Sequence, residues 1–392
     1  MYLSCLATIF SILVVAAIIV ATVHINYVVT ERRQFRAWYP EFGFIFDSIV
    51  HNNCTEQYEL YNTGVLNRTE WEQSSRWLGG GSTSALAVPL LNCILENTPE
   101  YLKSGMSSAS VVLGLTPGIL AAFGSDVPEL ATLSVIGRRR FLALGLSLGS
   151  PAVNPLRLFE YRGFAEILGD RQGRLKPRFF NLYIESLILV LEFVIVFGAI
   201  VNNIILGYEL GIKTVATFAP HHTFLPLLWI LLASVPHIAA RTGLSCLVVV
   251  KSVKRRMVFR NHIQKWFAPW MEPEAATLQI SDETPFYLII SSLVSMVTCG
   301  HFIFGTLLFS SVVFLSVRDS VPILARFLLS VFACRMVLVY ELARLRQLYN
   351  ATDGYRLAKP GEGQLQPEEK PIFWESVEDL TGYGSAGTTI VA

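Results

Sequence analysis

The chain has 392 residues, of which 52% are hydrophobic and only 16% are charged, whereas a soluble domain carries about 25% charged residues. The net charge of +1 gives no basis for nucleic-acid binding through bulk electrostatics. The six cysteines lack Cys-X-X-Cys spacing, which argues against a zinc site or a thioredoxin-like motif.

Long apolar runs predict transmembrane helices. Because the hydrocarbon core of a bilayer is about 30 Å thick, a spanning helix needs roughly 20 apolar residues. We therefore predict an all-α polytopic bundle that uses the lipid bilayer as its partner. Its six spans are predicted at residues 5–28, 105–124, 180–207, 223–250, 286–317 and 321–342.

The first two spans have distinctive sequences. Residues 1–30 contain no charged side chain, and their apolar stretch is longer than that of a secretory signal, which favours a retained anchor over a cleaved signal peptide. In the second span, Gly114 and Gly118 have the spacing that lets two membrane helices approach closely. Pro117 removes a backbone hydrogen bond, so we expect a kink there.

The segment after the second span contains a further apolar piece. Residues 141–150 are too short to cross a bilayer, and we interpret them as interfacial or re-entrant. Residues 113–116 (Leu-Gly-Leu-Thr) and 144–147 (Leu-Gly-Leu-Ser) echo one another, and both lead into sequence broken by Gly and Pro. Broken apolar segments can mark a transporter site, although a four-residue match also arises by chance.

The distribution of Lys and Arg predicts the topology, because basic loops lie on the cytosolic side of a membrane. Loops 125–178 and 251–284 are basic and are therefore expected in the cytosol. Region 31–104 then lies in the lumen or outside the cell, and both termini are cytosolic. The tail at 343–392 is rich in Gly, Pro and Glu, which predicts a disordered cytosolic segment.

Three features of region 31–104 bear on this topology. Asn53 and Asn67 begin glycosylation sequons, which are modified only in the secretory lumen and so agree with it. Cys54 and Cys93 would share that oxidising compartment, where they either form a disulfide or remain unpaired. Three arginines within residues 32–36 disagree with the charge rule.

Ionisable residues within the predicted spans are costly in a bilayer and mark either function or pairing between helices. They include Glu185, Glu192, His237, Arg241, His301 and Arg335. One hypothesis is a polar pathway, in which Glu192 pairs with Arg241 or Arg335. With Glu185 and His301, it would bind an ion, a proton or a polar substrate. The other hypothesis is that these residues are structural pairs between helices.

The sequence carries no metalloprotease, serine-hydrolase or nucleotide-binding motif, and no cofactor is predicted. Two function classes remain. The first is a non-enzymatic carrier or accessory membrane protein. The alternative is an intramembrane enzyme acting on a lipid-like substrate, with Glu192, His237 or His301 as acid or base.

Several short motifs are shared with a known group of proteins. They are residues 96–100 (Glu-Asn-Thr-Pro-Glu), 114–117 (Gly-Leu-Thr-Pro), 149–155 (Gly-Ser-Pro-Ala-Val-Asn-Pro) and 159–161 (Phe-Glu-Tyr). In these motifs the chain resembles uncharacterised multi-pass membrane proteins of filamentous fungi, mainly over residues 90–165. The resemblance implies a eukaryotic secretory-pathway membrane, and it implies no activity.

Overall fold

The computed structural model describes residues 33–63, 84–154, 182–252, 276–280 and 285–351, all of which belong to one compact unit. The helices in this part of the chain are α1 (Pro40–Asn52), α2 (Thr55–Thr63), α3 (Ser84–Asn97), α4 (Glu100–Phe123), α5 (Val127–Val135), α6 (Arg140–Gly149), α7 (Leu182–Lys213), α8 (Leu225–Leu232), α9 (Ser234–Leu247), α10 (Pro285–Ser310) and α11 (Val317–Ala351). The all-α class is confirmed, and the chain is an integral membrane protein.

Five helical segments are long and apolar enough to cross a membrane. They are α4, α7, α8 with α9, α10 and α11, and they correspond to the second to sixth predicted spans. The predicted span at 5–28 lies outside the described residues. The last helix continues to Ala351, so the first residues of the predicted disordered tail are helical. Residues 352–392 lie outside the described part of the chain.

The fourth predicted span, 223–250, corresponds to the helical segment Leu225–Ser245, which is long and apolar enough to cross a membrane. The segment is divided between α8 and α9, with Ala233 between them. Pro236 follows this division and has no N–H to donate to the carbonyl of Leu232, so it cannot sustain a continuous helix there. The segment's last residues form strand β2 (Val248–Ser252), which pairs antiparallel with β3 (Ala276–Ile280).

A second ribbon joins two turns at one end of the bundle. Strand β1 (Val215–Ala216) follows α7, and β4 (Val312–Val313) follows α10; they pair antiparallel, with Val215 opposite Val313. Phe314 comes next with a φ of 69°. This left-handed conformation, unusual for a bulky residue, directs its ring into the aromatic cluster described below.

Residues 33–63 and 84–97 form a helical cap over this end of the bundle, which we call the cap end. Phe35, Phe46 and Phe314 form the centre of its core, with ring centroids 5.1 Å apart between Phe46 and Phe314. A disulfide joins Cys54, at the start of α2, to Cys93 in α3. The cap therefore contains the disulfide that the sequence raised as one of two alternatives.

Two of the three arginines that disagree with the charge rule make side-chain hydrogen bonds. Arg33 donates a hydrogen bond to the hydroxyl of Tyr208, near the cap end of α7, at 3.1 Å. Arg36 donates to the side chain of Asn62 within the cap at 2.8 Å. Arg33 therefore connects the cap to α7, and Arg36 makes a contact within the cap.

The glycine pair of the second span packs α4 against α10. A Cβ atom built on Gly114 would lie 2.9 Å from the Cβ of Ser310, which is closer than carbon atoms pack. A Cβ built on Gly118 would lie 3.8 Å from the ring of Phe302, in ordinary contact. The close approach expected of this spacing therefore depends mainly on Gly114.

Candidate functional site

The helix α4 begins at the cap and ends inside the bundle. Near its start, the backbone N–H of Phe314 donates to the sulfur of Met106 at 3.3 Å. At its other end, the buried Gly124 donates its N–H to the carbonyl of Leu120 and continues in an extended conformation. The chain becomes helical again only at Val127, where α5 begins.

Residues after α6 meet this interruption. A Cβ built on Gly124 would lie 3.4 Å from the hydroxyl oxygen of Ser150 and 3.0 Å from the carbonyl oxygen of Ala152. Asn203 of α7 donates its side-chain amide to the last two carbonyl groups of α6, at 3.1 Å and 2.9 Å. We call residues 124–126, residues 149–152 and Asn203 the break site.

The break site lies near the middle of the membrane-spanning part of the bundle. The spanning segment of α7 runs from Leu187 to Lys213, and its midpoint is residue 200. At about 1.5 Å per helical residue, Asn203 lies about 5 Å from that midpoint. Segment 127–149 forms two short helices, α5 and α6, whose apolar faces pack into the bundle core, and α6 covers the residues that the sequence analysis interpreted as interfacial or re-entrant within a cytosolic loop.

Three polar side-chain atoms at the break site have no hydrogen-bond partner among the described residues. They are the hydroxyl oxygens of Ser125 and Ser150 and the amide oxygen of Asn203. These side chains belong to residues that are 1%, 1% and 0% exposed, respectively. Buried polar groups are nearly always bonded, because burial without a partner costs about 1–3 kcal/mol each. Three such atoms together mean that water, an ion or another polar molecule is needed to complete the hydrogen bonding at this place.

An ion pair lies next to the break site. Arg335 of α11 contacts Glu129 of α5 through both of its terminal nitrogens. Glu129 also accepts the backbone N–H of Asp126 at 3.3 Å, as part of a capping box at the start of α5. The residue before Arg335, Cys334, has its sulfur 2.5 Å from a Cβ built on Gly149.

A buried charge cluster lies nearer the end of the bundle that is opposite the cap. Arg139 donates from Nη1 to Glu192 at 3.0 Å and contacts Glu341 through Nε at 3.0 Å. The three side chains are 8%, 6% and 2% exposed. The predicted pairing of Glu192 with Arg241 or Arg335 is therefore wrong, because Arg139 is the partner that the fold brings to it.

These partners are hard to recognise from the sequence alone. Arg139 stands between Arg138 and Arg140, both exposed, so the triplet resembled an ordinary basic loop. Glu341 falls in the last turn of a predicted span, and only the apolar residues around it distinguish it from an ordinary charged residue at the end of a helix. The contact between Arg139 and Glu192 joins residues 53 apart in the chain, and local sequence patterns do not predict contacts at that separation.

Polar contacts continue from the break site toward the cap. Asn202, beside Asn203 in the sequence, donates to the carbonyl of Arg326 at 3.0 Å and to the hydroxyl of Ser330 at 2.8 Å. Arg326 in turn donates to Glu209 at 3.2 Å. Just outside the spans, burial together with the nearby charge of Glu209 raises the pKa of Tyr39 well above its usual value.

The two histidines proposed for the polar pathway lie together elsewhere, among α8, α9 and α10. His301 binds the carbonyl of Trp229 through Nε2 at 2.9 Å, so this nitrogen carries the proton, and its ring stacks on the indole at 5.3 Å. His237 is buried, and neither ring nitrogen has a hydrogen-bond partner within the described residues. The structure therefore separates the histidines from the acidic partners that the hypothesis assigned to them.

The remaining predicted residues have different outcomes. Arg241 is half-buried on α9 and lies close enough to Arg140 for their charges to repel. Glu185 is within α7, and its side chain is outside the described part of the structure. Asn53 is exposed and donates to Asn97 at 3.0 Å, while Asn67 lies outside the described residues. No group of three or more His, Cys, Asp and Glu side chains in the described ranges is arranged to hold a metal ion.

Comparison with family models, with curated proteins and with solved structures finds no match for this chain.

Proposed function

We propose that the protein is a membrane carrier whose polar substrate binds at the break site. The observation that supports this most strongly is the group of three buried, unpartnered polar atoms where α4 and α6 end within the bundle. Interrupted helices near the bilayer midplane place unpaired backbone groups next to a substrate, and irregular backbone at that depth is tolerated only inside protein or beside a water-filled cavity.

The polar groups on both sides of the break site support the same proposal. Toward the cap are Asn202, Arg326 and Glu209. Toward the opposite end is the pair of Arg335 and Glu129, followed by the cluster around Arg139. Placing a series of polar contacts inside an apolar bundle costs free energy. Transport of a polar substrate is a function that requires such contacts.

Thiol accessibility tests the carrier proposal without knowledge of the substrate. Ser125→Cys and Ser150→Cys are introduced separately into a background lacking the four cysteines outside the disulfide, and each protein is reconstituted into liposomes. We expect a membrane-impermeant, charged methanethiosulfonate reagent to label both positions. Leu146→Cys, one turn from Ser150 in the buried apolar core of α6, is the matched control and should stay unlabelled.

The outcomes separate a carrier from an accessory protein. Labelling of positions 125 and 150, with no labelling at 146, indicates water access to the middle of the bundle. If all three positions resist the reagent from both sides of the membrane, the break site is sealed. A sealed interior has no route for a substrate, and the carrier proposal then fails.

We further infer that the protein resides in a membrane of the eukaryotic secretory pathway, with the cap in the lumen and both termini in the cytosol. The sequons, the basic loops and the cap disulfide support this orientation, since disulfides persist in oxidising compartments. The expressed protein should lose a glycosidase-sensitive mobility shift when Asn53→Gln and Asn67→Gln are combined. A glycan that instead requires Asn350, the sequon of the predicted tail, would reverse the orientation.

The alternative of an intramembrane enzyme acting on a lipid-like substrate has less support. Glu192 is held by Arg139, and Nε2 of His301 is bound to a backbone carbonyl. Each group is therefore already engaged in a structural contact, although Oε1 of Glu192 has no partner among the described residues. His237 is the remaining candidate, and His237→Gln should leave solute transport intact if the protein is a carrier.

A further inference from the structure

The break site has the electrostatics of a cation site. The C-terminal ends of two helices, α4 and α6, meet there, and a helix C-terminus carries roughly half a negative charge. Asn203 already pairs the last two carbonyl groups of α6, so the unpaired carbonyls are mainly those of α4. The start of α5 contributes the opposite partial charge, which the Asp126 side chain offsets by accepting the backbone N–H of Glu129 in the capping box. Arg335 is offset by Glu129, so the two helix C-termini give the site a partial negative character.

The unpartnered atoms at this place are oxygens. The amide of Asn203 is oriented by its two donated hydrogen bonds to α6, which leave its oxygen as the free atom. The free hydroxyls of Ser125 and Ser150 present oxygen as well, and the carbonyl oxygen of Ala152 lies beside Gly124. All of these oxygens come from residues that are 2% exposed or less.

The ligand type distinguishes between classes of cation. Sites for Ca²⁺ and Mg²⁺ use carboxylates as direct ligands, whereas the free oxygens at the break site belong to hydroxyl, amide and carbonyl groups. The two nearby carboxylates are already engaged: Glu129 binds Arg335 and the N–H of Asp126, and Asp126 accepts the backbone N–H of Glu129 at the start of α5. Neutral oxygens at the ends of interrupted helices, within a weakly negative environment, suit a monovalent alkali cation.

We propose that the break site binds a single Na⁺ ion through the oxygens of Ser125, Ser150, Asn203 and Ala152. This inference extends the carrier proposal, for which Na⁺ would be the coupling ion. Na⁺ binding at this position connects the ends of α4 and α6, so occupation of the site orders the two interrupted helices against α7.

Binding of radioactive ²²Na⁺ to the purified full chain in detergent tests the proposal. We expect saturable binding of about one ion per chain that is displaced by excess NaCl and at least tenfold less well by KCl or choline chloride. Ser150→Ala should weaken binding at least tenfold, and so should Ser125→Ala, which provides a second test if one variant folds poorly. Ser147→Ala is the matched control, because this buried serine on α6 already donates its hydroxyl to the carbonyl of Leu144 at 2.7 Å.

Two results would overturn the Na⁺ assignment. One is the absence of saturable ²²Na⁺ binding to the wild-type protein, and the other is displacement by KCl as effective as by NaCl. Equal weakening in Ser147→Ala would also overturn it, because binding would then lie elsewhere. The thiol-labelling experiment is independent: Na⁺ binding without labelling removes the carrier proposal alone, whereas labelling without Na⁺ binding removes the ion site alone.

Discussion

Replacement of Arg139 by methionine should destabilise the protein strongly. Arg139 is the cation that contacts both Glu192 and Glu341, each at 3.0 Å, and all three side chains are less than a tenth exposed. Arg139→Met keeps much of the side-chain volume and removes the charge, which leaves two carboxylates buried without this partner. Breaking a buried pair in this way costs about 3–5 kcal/mol. At about 2 °C per kcal/mol, the value for a large domain, the unfolding midpoint should fall by about 6–10 °C.

The measurement is the loss of the monomer peak in size-exclusion chromatography after heating in detergent. Arg318→Met is the matched control, because Arg318 contacts Glu41 at 3.1 Å with the arginine side chain 82% exposed. An exposed pair contributes at most about 1 kcal/mol, so this variant should lose about 2 °C or less. The two ion pairs have similar distances but different burial, so the difference between the two variants measures the effect of desolvation.

A rescue experiment examines the physical cause. Adding Glu192→Gln and Glu341→Gln to Arg139→Met removes the uncompensated charges, and at least half of the lost stability should return. An Arg139→Met variant that melts within about 2 °C of Arg318→Met would refute the reasoning. So would a triple variant that melts at or below the temperature of the single variant.

Three further predictions concern packing, the cap and pH. Gly114→Ala should destabilise the protein by about 1–3 kcal/mol, because the added Cβ would overlap α10. The control is Gly198→Ala, whose Cβ would have no atom within 4 Å, and it should not lower the melting temperature in the same assay. Cys54→Ser opens a disulfide between residues 39 apart in sequence, which should cost about 4 kcal/mol of cap stability and make the cap sensitive to limited proteolysis without added reductant. Burial lowers the pKa of both His221 and His222, so the unfolded chain binds protons more readily and stability should fall as the pH drops below about 6.5. The double glutamine variant should show a smaller difference in melting temperature between pH 8 and pH 5.5, and an unchanged difference would contradict the role of these histidines.

The positions of the spans were predictable because hydropathy is a local property. A membrane helix is recognised by about 20 consecutive apolar residues, and all five long helical segments lie where such runs occur. The two departures in the fourth span have local causes as well. Pro236 follows the division between α8 and α9, and pairing with β3 draws residues 248–250 into a strand.

The break site was only partly visible in the sequence. Glycine and proline around residues 117–124 and 149–155 indicated interrupted helices, and the short repeat pointed to the same two segments. Their approach to one another, and to Asn203, depends on how α4, α6 and α7 pack. A glycine in the sequence can indicate a close contact, but its position does not identify the atoms on the other side of that contact.

The sequence by itself determined the membrane class, the approximate spans and the presence of charges inside them. The tertiary structure alone decided which charges meet: Glu192 with Arg139, and Arg335 with Glu129. The physical reason is that the cost of burying an ion depends on its own surroundings and is therefore evident from a single position in an apolar run. The compensating partner can come from any helix, and its identity is fixed only when the bundle packs.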